Sequence, residues 1–180
     1  FKFPTQVGFF VLKGTNMKIV NNGNIKLAIQ KNGRLTEKSI ELLKHCGLEI
    51  ENYIDRLVVS VNNFPMDILF VRDDDIPEYI QDNVTDLGIV GENVVLEKKS
   101  KVEVLEKLGF GKCKLMIASP ENIKLNTIQD LNEKIIATSY PNILKEFLTK
   151  NKINAKIIKI TGSVEITPAL GVADIICDIV

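Results

Sequence analysis

The chain has 180 residues, and its 23 lysines and arginines balance 23 aspartates and glutamates, so the formal net charge is zero. This balance argues against a non-specific binder of nucleic acid or of anionic membranes, so any site for a polyanion must be local. No apolar run reaches the roughly 20 residues that cross a bilayer. Three separated cysteines without a Cys/His cluster argue against a zinc site, and an odd thiol count is typical of a reducing cytoplasm.

Residues 1–16 precede Met17, the first methionine, and are interpreted as a leader or upstream extension outside the fold. The first predicted element is a strand at 25–30, followed by a tight loop at 31–34. Thr36 is a candidate cap for a helix that runs to about Cys46, where the following glycine stops it.

Later elements alternate between strands and helices. Asp75 and Pro77 are typical of a helix start, Gly91 begins a turn, and another helix begins near Pro141. A short helix follows the polar turn at 161–163. The predicted strands lie at 57–61, 66–71, 86–90, 112–119, 134–137 and 156–160, with a last strand that carries Asp174 and Asp178. This alternation predicts an α/β fold with mainly parallel sheets, and the glycines at 109 and 111 mark a crossing between two lobes.

Open α/β sheets bind ligands beyond the carboxyl ends of their strands, and several polar loops follow predicted strands here. Lys31 and Arg34 flank a glycine in the first such loop, an arrangement suited to phosphate. The chain has only three arginines, Arg34, Arg56 and Arg72, against twenty lysines. An arginine kept where lysine is so common indicates a phosphate or carboxylate contact, although surface ion pairing is an equal alternative.

Two polar loops have a structural alternative. The run Asp73–Asp75 suits a solvated turn with a helix cap better than a metal cluster. Thr138, Ser139 and Tyr140 follow a strand and open a helix, and ordinary capping alone would explain the serine. The only histidine, His45, lies near a helix C-terminus and is interpreted as structural, which disfavours histidine-based acid–base chemistry.

The segment 161–180 carries the strongest functional signal. Gly162 and Ser163 form a small polar turn before a short helix. Glu165, Asp174 and Asp178 come after this turn. Carboxylates at a strand end beside a helix N-terminus suit a ligand that has both hydroxyls and phosphates.

Several motifs occur together between residues 25 and 180. They are Leu27-Ala-Ile-Gln-Lys-Asn-Gly-Arg-Leu35, Asp67-Ile-Leu-Phe-Val-Arg-Asp-Asp-Asp-Ile-Pro77, Asp86-Leu-Gly-Ile-Val-Gly-Glu-Asn93, Ala137-Thr-Ser-Tyr-Pro141 and Gly162-Ser-Val-Glu165, and a glutamate, five residues, a glycine and an aspartate-bearing strand. In this order they resemble the ATP phosphoribosyltransferase family, the first enzyme of histidine biosynthesis, and the first two motifs are similar to those of its long-form branch.

The resemblance implies a magnesium-dependent transfer of phosphoribosyl from phosphoribosyl pyrophosphate to N1 of the adenine of ATP, releasing pyrophosphate. It also implies two lobes similar to the type II periplasmic-binding-protein fold, which we place at 17–110 and 111–180, in a cytoplasmic homo-oligomer, a dimer or a hexamer. The expected substrate-binding residues are Lys31, Arg34, Arg56, Arg72, Asp73, Thr138, Ser139, Tyr140, Gly162, Ser163, Glu165, Asp174 and Asp178, of which Arg34 and Asp178 are the expected catalytic residues.

The sequence departs from the family at its end. The family's loop for the 5-phosphate follows the strand that holds Asp178, and neither this loop nor the strands that return to the first lobe are present. We therefore expect the 180-residue chain to be inactive. The alternative function is a non-catalytic module of the same fold that binds a nucleotide or a small anion.

Overall fold

The computed structural model describes residues 2–7, 9–14 and 23–180, with the backbone alone for residues 2–7, 9–12 and 34. The strands are β1 (Lys2–Val7), β2 (Phe9–Gly14), β3 (Ile25–Gln30), β4 (Val58–Ser60), β5 (Met66–Val71), β6 (Leu87–Gly91), β7 (Val102–Lys107), β8 (Cys113–Ala118), β9 (Ile135–Thr138), β10 (Lys156–Lys159) and β11 (Ile175–Ile179). The α-helices are α1 (Arg34–His45), α2 (Ile76–Gln81), α3 (Glu92–Lys98) and α4 (Pro141–Lys150), with 3₁₀ turns at Asp73–Asp75, Ile128–Leu131 and Val164–Ile166.

The chain divides into two compact units, which we call the first unit (Gly8–Lys112) and the second unit (Phe1–Val7 with Cys113–Val180). The α/β class that the alternation predicts is confirmed. The first unit holds a six-stranded sheet in the order β4-β5-β3-β6-β2-β7, in which β5, β3 and β6 are parallel. The second unit holds a five-stranded sheet in the order β1-β8-β11-β9-β10, in which β11, β9 and β10 are parallel.

The apolar strands bury both faces of the first unit's sheet. Ile29, Ile68 and Phe70 pack against α1 in one cluster, and Ala28 and Val90 on the other face pack against α2. Gly88 lies directly beneath α2, where a Cβ atom would stand 2.6 Å from Ile76 Cγ2 and 2.6 Å from Ile80 Cδ1. A glycine is therefore required for the helix to approach β6.

In the second unit, alternate residues of the strands face α4. Leu115, Ile136, Ile175 and Cys177 pack with Leu144 and Leu148 of that helix. The intervening residues Ala137 and Ile176 lie on the other face, where Val164 of the third 3₁₀ turn covers part of the sheet. This alternation follows from the period of two residues along a strand.

Residues 1–16 are predicted to be a leader or extension outside the fold, yet residues 2–7 and 9–14 form strands in the structure. Strand β2 lies between β6 and β7 and is antiparallel to both, whereas β1 is antiparallel to β8 in the second unit. These residues precede Met17, but their alternating or apolar sequence is compatible with pairing in a sheet. Residues 1, 8 and 15–16 of the predicted leader lie outside the described residues.

Three local predictions also differ from the structure. Helix α1 begins at Arg34 rather than after Thr36, whose hydroxyl donates instead to the carbonyl of Gln30 at 2.8 Å. The predicted turn at Gly91 is the start of α3, and β7 was not predicted because its side chains are largely exposed and lack a buried face. Among the described helices, none is long and apolar enough to cross a membrane.

Candidate functional site

The first unit brings three loops to the carboxyl edge of its parallel strands. Gln30 pairs with Val71, and the amide of Lys31 donates to the carbonyl of Val71 at 2.8 Å. Because Ile29 also pairs with Ile89 of β6, the loop that starts at Lys31 lies between Arg72 and the end of β6. Ligands of open α/β sheets bind at this edge.

A cavity of about 210 Å³ opens at the first turn of α1. Its lining brings together two of the predicted phosphate-binding cations, Lys31 from the loop after β3 and Arg56 from the loop before β4. Glu37 and Asp55 also line it, so the cavity is polar and of mixed charge. A phosphate would meet the cations beside a helix N-terminus, where the macrodipole favours an anion.

The start of α1 has the backbone that such a site needs. Gly33, the N-cap, has φ of 109°, a left-handed region that favours glycine, and α1 has no side-chain capping bond at this end. Arg34 is the first residue of the helix. The predicted contact of its side chain lies outside the described residues.

Tyr53 is a lining residue of this cavity that the sequence did not reveal. Its ring stacks on Phe70 of β5 with centroids 5.9 Å apart, and Lys44 Nζ lies 6.0 Å from its centroid. The loop 51–56 carries no motif of its own, so only its tertiary position marks it. The one signal in the sequence was that Tyr53, an aromatic residue, stands three positions before Arg56.

Arg72 and Asp73 follow β5, and Arg72 is exposed. Burial raises the pKa of the Asp73 carboxyl, and the neighbouring Asp74 carboxylate raises it further. A half-buried carboxyl with a raised pKa beside a binding edge is typical of functional sites. Asp75 precedes α2 without a side-chain capping bond, contrary to the prediction. Among the described residues, no group of three or more His, Cys, Asp or Glu side chains is placed to hold a metal.

Gln30 adds a polar atom that the sequence did not single out. Its side-chain oxygen Oε1 is buried and has no hydrogen-bond partner in the described structure. Buried polar atoms are nearly always paired, so an orphan acceptor at the end of β3 is a candidate for a ligand N–H group. The signal in the sequence was a polar residue closing an apolar strand.

In the second unit, hydroxyls at the end of β9 hold the local backbone. Thr138 is fully buried, and its hydroxyl accepts from the amide of Tyr140 at 2.9 Å. Ser139 donates to the carbonyl of Ile160 at 2.8 Å, which ties the end of β9 to the end of β10. These bonds support local structure, but they are not the helix cap that the sequence offered as the alternative for Ser139, because the N-cap of α4 is Tyr140 and it makes no side-chain capping bond.

Gly162, Ser163 and Asp178 lie at the same edge of the second unit. Cys177 pairs with Thr138, so Asp178 stands level with Ser139 on the neighbouring strand. Gly162 and Ser163 both have positive φ, 78° and 48°, and they form the turn before the third 3₁₀ turn. The Asp178 carboxylate accepts from the amide of Ile179 at 2.8 Å.

The structure separates Asp174 from Asp178. They stand at opposite ends of β11, four residues and roughly 13 Å apart along the strand. The Asp174 carboxylate accepts from the amide of Ile135 at 2.7 Å, and Glu165 and Asp174 line a different cavity together. Glu165, Asp174 and Asp178 are expected to face the ribose or the magnesium ion, although only some of them need do so. Asp174 and Asp178 lie at different ends of β11, and the role of each stays a prediction.

The fold and the edge loops together define a two-unit α/β protein with a polar cavity at the N-terminus of α1 in the first unit. The family model for ATP phosphoribosyltransferase matches residues 72–180. Over 156 residues, the chain is 51% identical to the ATP phosphoribosyltransferase of Cytophaga hutchinsonii and 47% identical to that of Bacteroides thetaiotaomicron, covering 87% of this chain in each case. A solved ATP phosphoribosyl transferase (HisG:HisZ) complex from Thermotoga maritima superposes with a TM-score of 0.71 and 31% identity, covering 87% of this chain and 74% of that chain.

The chain belongs to the ATP phosphoribosyltransferase family. It covers 54% and 55% of the two curated relatives, so it spans about half of their length.

Proposed function

We propose that this chain carries the substrate-binding groups of an ATP phosphoribosyltransferase. In this reaction N1 of the adenine of ATP bonds to C1 of phosphoribosyl pyrophosphate, and the bond from C1 to pyrophosphate breaks. The observation that carries the proposal is the convergence of Lys31 and Arg56 on one cavity at the N-terminus of α1, in a chain of this family.

The first unit supplies the cations of the proposed site. Lys31 and Arg56 bind phosphate oxygens at the cavity, and Arg72 contributes from the loop after β5. Arg34, placed at the first turn of α1, is proposed as a fourth phosphate contact on the basis of its position. Bidentate contacts from arginine orient a phosphate as well as attract it. Asp73 and the unpaired Gln30 Oε1 lie at the same edge and suit the donors of the nucleotide.

The second unit supplies the proposed ribose contacts. Asp178 stands at the carboxyl edge beside Ser139, and the turn of Gly162 and Ser163 follows the neighbouring strand. The carboxylate accepts from ribose hydroxyls and offsets the positive charge that develops at C1 as the bond to pyrophosphate lengthens. The hydroxyl of Thr138 and the amide of Tyr140 hold this loop in shape.

The chemistry requires little proton transfer. Adenine N1 has a free lone pair at neutral pH, so the chain needs no strong base to activate it, and His45 at the end of α1 remains a structural residue in this proposal. The protein's contribution is to orient the two substrates and stabilise charge.

A magnesium ion fits the carboxylate pattern. Mg²⁺ in phosphate-transfer sites is held through substrate phosphates and one or two carboxylates, so the lack of a three-ligand cluster in the described part of the chain is compatible with it. Asp178 is the residue proposed to hold the ion. When bound, the ion would neutralise charge on the departing pyrophosphate.

Self-association and a cytoplasmic location complete the proposal. Ile54, Leu57 and Val58, in and before the edge strand β4, are 76%, 62% and 53% exposed. Exposed apolar side chains on and near a sheet edge are frequent at interfaces, which supports a homo-oligomer, a dimer or a hexamer.

Titration of ATP and of phosphoribosyl pyrophosphate into the 180-residue chain tests the binding roles, with pyrophosphate release as the readout of transfer. We expect saturable ATP binding that weakens when Lys31 or Arg56 is replaced by alanine. Absence of binding, or binding unaffected by both substitutions, would reject the site. Binding without transfer in a chain extended to the length of its relatives would favour the non-catalytic binding module.

A further inference from the structure

A second and larger cavity, of about 670 Å³, opens in the second unit. Its floor includes Ala118, Ile135 and Ile176, on the face of the sheet opposite to α4, and Ile123 and Pro168 form part of its walls. The volume lies within the range of pockets that hold small molecules, and a largely apolar lining with a few polar groups is typical of them.

The described lining of this cavity carries negative charge. Glu165 and Asp174 line it, and the lining side chains that the structure describes include no lysine, arginine or histidine. Asp174 gives one carboxylate oxygen to the amide of Ile135, whereas Glu165 is exposed and has no hydrogen-bond or ion-pair partner among the described side chains. The cavity therefore presents a carboxylate without a described partner beside an apolar floor.

The walls are held by local hydrogen bonds. Ser119 donates to the carbonyl of Ile123 at 2.8 Å, a hydrogen bond within the loop that forms one wall. Thr167 donates to the carbonyl of Val164 at 2.7 Å, and the amide of Val172 donates to the carbonyl of Thr167 at 3.0 Å on the opposite wall. A cavity with pre-formed walls loses little conformational entropy when it binds a ligand.

This lining has the opposite sign to that of the site for ATP. The cavity of the first unit contains Lys31 and Arg56, whereas two carboxylates here would repel a phosphate. The apolar part of a ligand can pack against Ile135 and Ile176, and a positively charged group can pair with the carboxylate of Glu165. We propose that this cavity binds a small organic cation, with an aromatic or aliphatic body on the sheet and an ammonium or amidinium group paired with Glu165.

Three probes of nearly equal shape test the proposal on the 180-residue chain. Benzamidine carries the cation, benzamide is its neutral counterpart, and benzoate reverses the charge. We expect saturable benzamidine binding with a dissociation constant in the low millimolar range, within reach of a ligand of its size. Benzamide should bind at least tenfold more weakly, and benzoate should not bind. ATP should not displace benzamidine, so the outcome is independent of the proposed function.

Two variants locate the binding. Glu165→Gln should remove the preference for benzamidine over benzamide, whereas Glu41→Gln, an exposed carboxylate on α1, should preserve it. Ala118→Leu should fill part of the cavity and weaken all binding without a change in melting temperature, because Ala118 is exposed at its floor. No saturable benzamidine binding, equal binding of benzamidine and benzoate, or an unchanged preference in Glu165→Gln would each overturn the proposal.

Discussion

Asp174 and Ile135 exchange two hydrogen bonds across neighbouring parallel strands. The amide of Asp174 donates to the carbonyl of Ile135 at 2.9 Å, and the amide of Ile135 donates to Asp174 Oδ2 at 2.7 Å. The first unit repeats the arrangement, with Asp86 and Lys26 at 2.9 and 2.7 Å. In both units an aspartate immediately before one central strand holds the beginning of the strand that lies beside it in the sheet.

Asp174→Ala should therefore destabilise the second unit. The substitution leaves the amide of Ile135 without its acceptor at a partly buried strand start, which costs on the order of 1–3 kcal/mol. Urea unfolding followed by circular dichroism measures the change, and Asp86→Ala should behave alike in the first unit. If Asp174→Ala left stability unchanged but abolished binding of phosphoribosyl pyrophosphate, Asp174 would be assigned a role in substrate binding.

Removal of residues 1–14 should destabilise the chain. Strand β7 pairs with the described sheet only through β2, so the deletion leaves both β6 and β7 with an unpaired edge. Several lost backbone hydrogen bonds, each contributing about 1 kcal/mol, predict a loss on the order of 5 kcal/mol. Thermal melting of the intact and shortened chains measures it.

Gly14→Val provides a second test of the same strand. A Cβ atom at Gly14 would stand 3.0 Å from the carbonyl oxygen of Ile80, so α2 or the strand must shift. Gly23→Val is the matched control, because a Cβ there meets nothing within 4 Å. If the chain without residues 1–14 had the same melting temperature as the intact chain, β2 would be dispensable.

Arg56→Ala should weaken ATP binding about tenfold, or roughly 1.4 kcal/mol, which lies within the range for hydrogen bonds to charged groups. Arg56 reaches the cavity at the N-terminus of α1 from a separate loop, so its loss leaves α1 intact. Isothermal titration calorimetry gives the affinities. Lys38→Ala, an exposed cation on α1 that does not line the cavity, is the control, and an equal effect of both substitutions would indicate a general charge effect.

Asp178→Asn should impair turnover much more than folding. Asparagine keeps an oxygen that accepts from the amide of Ile179 but loses the charge that stabilises C1, so we expect kcat to fall on the order of 100-fold. Steady-state kinetics on a chain extended to the length of its relatives, with a melting curve, separate the two effects. Unchanged kinetics, or a loss explained by unfolding, would remove Asp178 from the site.

Asp73→Asn should stabilise the chain at neutral pH. Burial and Asp74 raise the pKa of Asp73 in the folded state above its ordinary value of 3.8, so the folded protein loses stability as pH rises through the raised pKa. Asparagine does not ionise, and its advantage should vanish below the ordinary value, where both states of the wild type are protonated. Urea midpoints measured across this pH range give the difference, with Asp82→Asn as the control. A constant difference at every pH would assign the effect to packing.

The sequence by itself determined the central strands and the loops that follow them. Short, mainly apolar runs predicted β3 and β5 at the bounds that the structure gives, because a strand buried on both faces is rich in apolar residues. The glycine and cations at 31–34 predicted the loop after β3, although α1 begins at Arg34, earlier than the sequence indicated. Family motifs then connected these loops to one reaction.

Only the tertiary structure decided which polar groups meet. Arg56 and Tyr53 reach the cavity of α1 through a loop without regular structure, and no period along the chain predicts that approach. Asp174 and Asp178 are close in sequence and similar in chemistry. Asp174 accepts from the amide of Ile135 on the neighbouring strand, whereas Asp178 lies at the carboxyl edge of the sheet and accepts from the amide of the next residue, Ile179. The strand between them carries the two carboxylates about 13 Å apart, so their roles depend on strand direction and pairing partners rather than on residue type.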